Sequence, residues 1–419
     1  MSFVLIGLSH RSAPLDVLER CSIAPDDRPK LLSAITSCHN VSEAVVVSSC
    51  HRSEVYVNAE TFHGAYSELF RVLGDLSGLP PERLTDHLVV AHDDDAVRHL
   101  FSVAAGLDSA VLGEHEILGQ VRTSWDTART EGASGSLTNL VFRHALTAGK
   151  RARTETDIAR GTASISSAAV DMAADHLGGL DGRSVLVLGA GEMGEGMVVA
   201  LADAGVSGIL IANRTAERGE ALAHRVGGRA ISLSELGDAL PAVDVLLTST
   251  GATSMLLEHA ELEPAVRRRD GRPLLVVDIA VPRDVDPAVG ELPGVTLLDM
   301  DDLHRFAETG RRGREAEVGR VREIVEDEVA NLAAVRSAQE VAPLITEVRG
   351  RAEAVRVAEL ARFERRLAEL GDAERDAVEA LTRGLIAKLL HEPTVRLKEA
   401  AGSPKGARLA DAMRDLYGL

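Results

Sequence analysis

Short uninterrupted apolar runs alternate with longer stretches of three-to-four spacing over most of the chain, and the last quarter carries only the longer kind. Phe3 to Leu8 and Ala44 to Val47 are runs of the first sort, and Pro29 to Cys38 between them has helical spacing, which predicts a β-α-β-like opening. From about Asp94 to Thr154 the period lengthens. Val97, Leu100, Phe101 and Ala104 fall three and four apart, as do Ile117, Val121 and Trp125, with glycines at 106, 113 and 119 as punctuation. One α+β domain is expected. Ala163 to Leu177, rich in Ala and Ser and closed by Asp181-Gly182, predicts a bridging helix. Five β-type runs follow at Ser184 to Leu188, Gly208 to Ala212, Val243 to Thr248, Leu274 to Asp278 and Val295 to Leu298. Helical stretches separate them, the order of a parallel, doubly wound sheet.

After Arg311 strand signals vanish, and Arg, Glu, Ala, Val and Leu dominate with almost no Gly or Pro before Pro343. Three apolar stripes are evident: Val318, Val321, Val325, Val329 and Leu332; Leu360, Phe363, Leu367 and Leu370; and Val378, Leu381, Leu385 and Leu389. Narrow stripes on long charged helices bury too little surface alone, so they predict association within a bundle or between subunits, and a homodimer through this tail. The expected boundaries are 1–160, 161–310 and 311–419.

The length of 419 residues, with 45% hydrophobic, 3% aromatic and 26% charged, fits several globular domains with aliphatic cores and excludes a disordered chain. The first twenty residues show no basic leader or small-residue cleavage site, and no apolar run approaches the roughly 20 residues that span a bilayer. A cytoplasmic protein, with no membrane association, is expected. Three cysteines, Cys21, Cys38 and Cys50, are odd in number and lack metal-ligand spacing, so reduced thiols and no metal site are expected. A balance of 46 basic to 64 acidic residues, net −18, opposes a general nucleic-acid coat. Any RNA contact must be local. Arg143, Lys150, Arg151 and Arg153 form the best patch, although such a run also reads as a solvated helix face.

Two segments carry chemistry. Val185 to Gly194 is a strand leading into Gly-x-Gly-x-x-Gly and then an apolar helix, the setting of a dinucleotide fingerprint. Gly189 would allow the tight turn, Gly191 the approach of a pyrophosphate and Gly194 close helix packing, with Ala190, Glu192 and Met193 between them at the helix start. The next strand ends in Asn213-Arg214-Thr215, where an NAD enzyme places an acid on the ribose hydroxyl. A cation and donors there suit a 2′-phosphate, so NADPH is the expected cofactor. The second segment runs from Val45 to Tyr56. Cys50 ends an apolar run and precedes a polar turn with His51, Arg52, Ser53 and Glu54, too polar for a continuing core strand. A thiol beside a cation suits attack on an acyl group, and the alternative reading is a buried structural thiol.

Ser48 to Tyr56 resembles the Thr-Cys-Asn-Arg-x-Glu-x-Tyr signature of the glutamyl-tRNA reductase family. Gly7 to Pro14, Gly106 to Gln120, Gly149 to Thr156 and Val277 to Asp284 are similar to that family's other motifs, in order, and His391 to Thr394 falls in a region resembling its helical dimerisation domain. The resemblance implies an α/β multidomain chain: an N-terminal α+β catalytic domain, a doubly wound Rossmann domain, and a C-terminal α-helical dimerisation domain joined by a long helix. It implies that Cys50 takes the glutamyl group from glutamyl-tRNA(Glu) as a thioester and releases the tRNA. Hydride from NADPH then gives glutamate-1-semialdehyde, the first step of tetrapyrrole synthesis. It also implies motion of the cofactor domain about the bridging helix, and partnership with the aminomutase that consumes the aldehyde.

By the same resemblance Arg52 grips the substrate carboxylate, while Ser49, Ser109, Glu114 and Gln120 line the glutamate pocket and His99 moves a proton. Glu114, Ser109 and Gln120 otherwise read as helix-cap or solvated residues, and His99 as a core imidazole. His51, His115 and Glu116 complete the expected pocket. Ser49 stands where the family has Thr, His51 where it has Asn, and Glu116 where it has Gln. Two rivals remain: a shikimate-type dehydrogenase acting on a small hydroxy acid, which does not need Cys50, and a non-catalytic tRNA-binding scaffold.

Overall fold

The computed structural model describes residues 2–158, 164–252, 254–310 and 315–419. The expected start of the bridging helix at Ala163 and the junction at Arg311 lie outside them. By packing, the chain forms two compact units, Met1–Glu326 and Asp327–Leu419.

The first sheet contains β1 (Ser2–Ser9), β2 (Val41–Ser49), β3 (Arg52–Ala59) and β4 (Val89–His92). Its order is β2-β3-β1-β4, and every pair in it is antiparallel. β1 and β2 are therefore parallel with β3 between them, so the opening is a split β-α-β unit rather than an adjacent one. β3 is the element that the polar reading of His51 to Glu54 missed. All eight of its residues are buried, and its polar side chains are tolerated because each finds a partner within the domain.

The last three helices of this domain are Asp93–Ala104, Glu116–Thr130 and Ser136–Glu155. The loop between the first two carries Asp108, Ser109 and Glu114, and close backbone contact shuts it. A Cβ on Gly106 (φ +78°) would stand 2.9 Å from Gly113 Cα, and one on Gly113 (φ +76°) 2.3 Å from Ile158 O. Only glycine fits at either place. Arg153, expected in a basic patch, turns inward instead, donating to the carbonyls of Ala104, Gly149 and Glu114. Those carbonyls include groups that a helix end leaves unpaired, which a guanidinium fork satisfies.

The second sheet is wholly parallel: β5 (Ser184–Leu188), β6 (Gly208–Ala212), β7 (Arg229–Ile231), β8 (Val245–Thr248), β9 (Leu274–Asp278) and β10 (Val295–Leu298), in the order β10-β9-β8-β5-β6-β7. The strand order reverses at β5, which opens a crevice at the carboxyl ends of β5 and β8. Helix Ile165–Leu177 packs into this domain's core with Val185, Val187, Met197 and Val198. Ser166 lies so close to the helix Glu192–Asp203 that a Cβ on Gly196 would sit 2.8 Å from it. The described part of the bridging helix thus belongs to the cofactor domain and would move with it.

A 48-residue helix, Glu315–Arg362, follows and continues through Pro343. In the first unit its early turns dock on the catalytic domain, with Glu317 accepting the Asp157 N–H at 2.8 Å and Glu326 pairing with Arg98. In the second unit Val341, Leu344, Ile345 and Val348 form a core with Leu390 and Leu397 of helix Asp372–Ala400 and Ala410 and Met413 of helix Pro404–Tyr417. Leu381, Leu385 and Leu389, one stripe of the sequence, remain 62%, 53% and 73% exposed in the single chain. Among the described residues no helix is long and apolar enough to cross a membrane.

Candidate active site

Ser49 and Arg52 face each other across the β2-β3 ladder, so Cys50 and His51 are the two residues of a hairpin turn. Ser49 Oγ accepts the His51 N–H at 3.2 Å, which steadies the turn. Cys50 is half-buried and packs against an apolar cluster that is mostly of the cofactor domain and also holds Leu15 and Val111 of the N-terminal domain. The three thiols of the chain are free.

Arg52 is the first residue of β3, not part of a polar turn, and its side chain is only 1% exposed. Alternation along the strand puts Arg52, Glu54, Tyr56 and Asn58 on one face. Arg52 Nη1 meets Glu54 Oε1 at 2.8 Å, and Nη2 meets Asp108 Oδ2 at 3.0 Å and the Asp108 carbonyl at 2.6 Å. Arg11 supports Asp108 from the other side at 3.1 Å. Glu54 also accepts from Tyr56 Oη at 2.7 Å and lies 2.9 Å from His99 Nε2. Burial opposes the charge on Glu54, yet Arg52 and His99 hold its carboxyl down at about 2. Glu54, His99 and Asp108 have the spacing of a cation site. The Arg52 guanidinium lies against both carboxylates of this set.

Arg52 therefore does little for the thiol. Burial, then the charges of Glu114 and Glu116, push Cys50 above the ordinary thiol range, and Arg52 offsets them only weakly. Against the expectation of a cation-stabilised thiolate, burial and the two carboxylates outweigh Arg52 and favour the protonated thiol in this arrangement. Glu114, buried at 4% exposure, is itself raised to about 7, by desolvation first and by Glu116 second. Its Oε2 has no hydrogen-bond partner among the described residues, nor has Ser109 Oγ, which lies near enough to lower that pKa without a bond of regular geometry. Burial and Glu192 raise Glu116, so the start of the helix behind the glycine loop is within electrostatic reach of the thiol's surroundings. His115 is exposed and Gln120 half-buried on the helix that Glu116 opens. No hydrogen bond among the described residues joins either to Cys50.

The glycine loop follows β5 as expected. Gly189 has φ +110°, and a Cβ there would stand 2.9 Å from Ser249 O, while one on Gly194 would be 2.1 Å from Gly189 O. A Cβ on Gly191, the N-cap of helix Glu192–Asp203, would meet nothing within 4 Å, so its open side faces the crevice. Gly189, Ala190, Gly191, Asn213, Arg214, Thr215, Arg218 and the 249–252 loop after β8 line one cleft. Asn213 is spent on the loop itself: its Oδ1 accepts the Ala190 N–H at 3.1 Å and its Nδ2 donates to Thr215 O at 2.8 Å. Arg214 is exposed at the rim, with Arg218 one turn on. Glu192 and Met193 open the helix, and Ser166 Oγ donates to Met193 O at 2.9 Å. The 249–252 loop is held by Asp284, which accepts the Thr250 N–H at 2.7 Å.

Family profiles match the chain in three consecutive pieces: the N-terminal domain of glutamyl-tRNA(Glu) reductase over residues 6–156, shikimate/quinate 5-dehydrogenase over 171–306, and the glutamyl-tRNA(Glu) reductase dimerisation domain over 320–419. The glutamyl-tRNA reductase of Frankia alni is 38% identical over 453 residues, covering 100% of this chain and 96% of its own. That of Geobacter metallireducens is 38% identical over 422 residues, with the same coverage of 100% and 96%. The chain belongs to the glutamyl-tRNA reductase family. The solved glutamyl-tRNA reductase of Methanopyrus kandleri is 34% identical, covering 100% of this chain and 99% of its own, with a TM-score of 0.49. The shikimate-type match is confined to the middle domain, which is an NAD(P)-binding Rossmann domain, and the flanking domains set the family apart from the hydroxy-acid dehydrogenases.

Several residues at this site went unread in the sequence. His10, Asp108 and Arg218 lie inside or beside segments already singled out, but nothing in their spacing showed a partner. Met300 and His304 sit on helix Met300–Gly310 and reach the catalytic turn only through tertiary packing.

Proposed function

We propose that this chain reduces the glutamyl group of glutamyl-tRNA(Glu) to glutamate-1-semialdehyde, with Cys50 as the nucleophile and NADPH as reductant. The observation that carries the reading is the position of Cys50, at a hairpin tip of the catalytic sheet beside an apolar cluster that both domains share, with its neighbour His51 touching Met300 of the cofactor domain. A thiol there lies between the proposed substrate-binding residues and a dinucleotide domain.

Cys50 Sγ attacks the ester carbonyl, the bond to the terminal ribose oxygen breaks, and the tRNA leaves while the glutamyl group stays as a thioester. Ser109 and Glu114 bind the amino acid: Oγ and Oε2 are buried groups without a partner among the described residues, and a substrate ammonium supplies the missing donors. Arg52 provides the cation toward the substrate carboxylate through its Nε, a guanidinium donor without a partner among the described residues. Ser49, His51 and Glu116 frame the turn, Gln120 and His115 the outer wall, and His99, held by Glu54, stands as proton donor near the acyl carbon. A nicotinamide dinucleotide bound at the glycine loop supplies hydride. Gly189, Ala190 and Gly191, with Glu192, Met193 and Gly194 at the helix start, would hold its pyrophosphate, Asn213 and Thr215 shape the loop, and Arg214 with Arg218 would meet the 2′-phosphate.

We further read the chain as a cytoplasmic homodimer formed through its helical tail, where exposed leucines form a stripe. An unstable aldehyde product favours direct transfer to the aminomutase that consumes it. The test is charged tRNA and NADPH with wild type and Cys50→Ser. Semialdehyde formation, and labelled glutamate trapped on wild type only, are expected. Full turnover by Cys50→Ser would overturn the reading in favour of a cysteine-independent dehydrogenase.

A further inference from the structure

The residue after the nucleophile is a histidine where the family has asparagine, and its two ring nitrogens face two sulfurs. His51 Nδ1 lies 3.3 Å from Cys50 Sγ, and His51 Nε2 lies 3.1 Å from Met300 Sδ. A thioether has lone pairs but no proton to give, so a hydrogen between His51 and Met300 belongs to Nε2. That tautomer leaves Nδ1 bare, with its lone pair toward the thiol. We propose that His51 is the general base for Cys50, and that Met300, reaching over from the cofactor domain, is the positioning residue that fixes its tautomer.

This rests on the acyl-transfer reading above. As Sγ attacks the ester carbonyl, its proton passes to His51 Nδ1 while the S–C bond forms. The C–O bond to the tRNA ribose then breaks, and the same proton goes to the departing oxygen. No electrons are exchanged with an outside partner.

The surroundings favour this role. Strand β1 ends near His10, and helix Met300–Gly310 contributes His304; their ring centroids are 5.5 and 4.9 Å from that of His51 and 4.7 Å from each other. Burial first, then His304, His10 and Arg52, hold His51 well below the usual imidazole range. His10 and His304 are lowered to about 3 and about 4, again chiefly by burial. All three rings are therefore neutral across the physiological range, and His51 is always an acceptor. Burial first, then the charges of Glu114 and Glu116, favour the protonated thiol, so the proton must leave during attack. At contact distance an imidazole that stays unprotonated is available to take the proton in that concerted step at every pH of the physiological range.

The test uses the full chain with three variants: His51→Asn, which puts back the family residue, His51→Ala and Met300→Leu. Alkylation by iodoacetamide, read at the Cys50 peptide by mass spectrometry from pH 5 to 9, needs no tRNA. Wild type is expected to keep a rate plateau below neutrality, and His51→Asn to fall about tenfold per pH unit, as free thiolate does. Acyl loading from glutamyl-tRNA is expected to slow about 100-fold in His51→Asn with KM little changed, and added imidazole to restore part of it in His51→Ala. Met300→Leu should shift the alkylation profile in the same direction by a smaller factor. Profiles for His51→Asn and wild type that overlay would overturn the proposal, as would equal loading rates. Absence of loading in wild type would instead sink the substrate reading, and the alkylation profile would still judge His51.

Discussion

Glu114→Gln is expected to make the catalytic domain more stable in alkali while impairing the enzyme. The carboxyl is buried and its pKa is raised to about 7 from a usual 4.5, with desolvation the main cause and Glu116 the second. A folded state that holds its proton more tightly than the unfolded chain loses stability as pH rises between those two values. The window is 2.5 pH units wide, and at 1.36 kcal/mol per unit the wild type forfeits about 3 kcal/mol between pH 4.5 and 7, with little change outside that range. Glutamine keeps the shape and removes the ionisation, so the variant should match wild type near pH 4.5 and exceed it by about 3 kcal/mol at pH 8. Trp125 is the chain's single tryptophan and sits on helix Glu116–Thr130, just beyond Glu114, so its fluorescence in urea reports the right domain. A stability difference that does not change with pH would refute the reasoning. So would unimpaired loading by the variant, since the buried carboxylate has no other evident use.

Arg52→Met would leave Glu54 and Asp108 facing each other without their shared cation. A loss of about 3–5 kcal/mol in the Trp125 transition is expected, and a loss near zero would show the pair to be dispensable. Removing both rim cations, Arg214→Ala with Arg218→Ala, should weaken NADPH about tenfold or more and leave NADH nearly unchanged, measured as KM for each reductant. Equal losses for both would place the 2′-phosphate elsewhere. In the helical tail, Leu385→Glu with Leu389→Glu puts two charges on an exposed apolar stripe, and sedimentation should then show monomer where the proposed wild-type dimer is expected. An unchanged sedimentation coefficient would move the subunit contact off this face.

The cofactor domain was nearly all legible in the sequence. Its central strands are buried on both faces and so read as unbroken apolar runs, and the glycine fingerprint follows from backbone contacts that no side chain modulates. Only the three-residue edge strand β7 escaped, being too short and too polar to show a period. The catalytic sheet was harder. β3 places Arg52, Glu54, Tyr56 and Asn58 on one buried face, a period-two polar pattern that looks solvent-exposed unless the partners are known. Those partners, His99 and Asp108, are 45 and 56 residues away along the chain. Arg153 failed the same way in reverse: a basic side chain on a helix reads as surface, but its guanidinium is drawn inward by carbonyls from two other segments. Cys50 was singled out from its neighbours, yet its protonation state could not be read, since that depends on burial and then on Glu114, which is 64 positions along the chain.

Helix Met300–Gly310 belongs to the half of the first unit that carries the dinucleotide fingerprint, yet its opening methionine holds an imidazole in the other half. The two halves are consequently not interchangeable parts. A chimera that borrowed its nucleotide-binding half from a hydroxy-acid dehydrogenase would inherit the glycine loop and lose the sulfur that orients His51. Such a hybrid is predicted to bind dinucleotide normally while its thiol reacts sluggishly, which makes that helix the first segment to transplant along with the strand order.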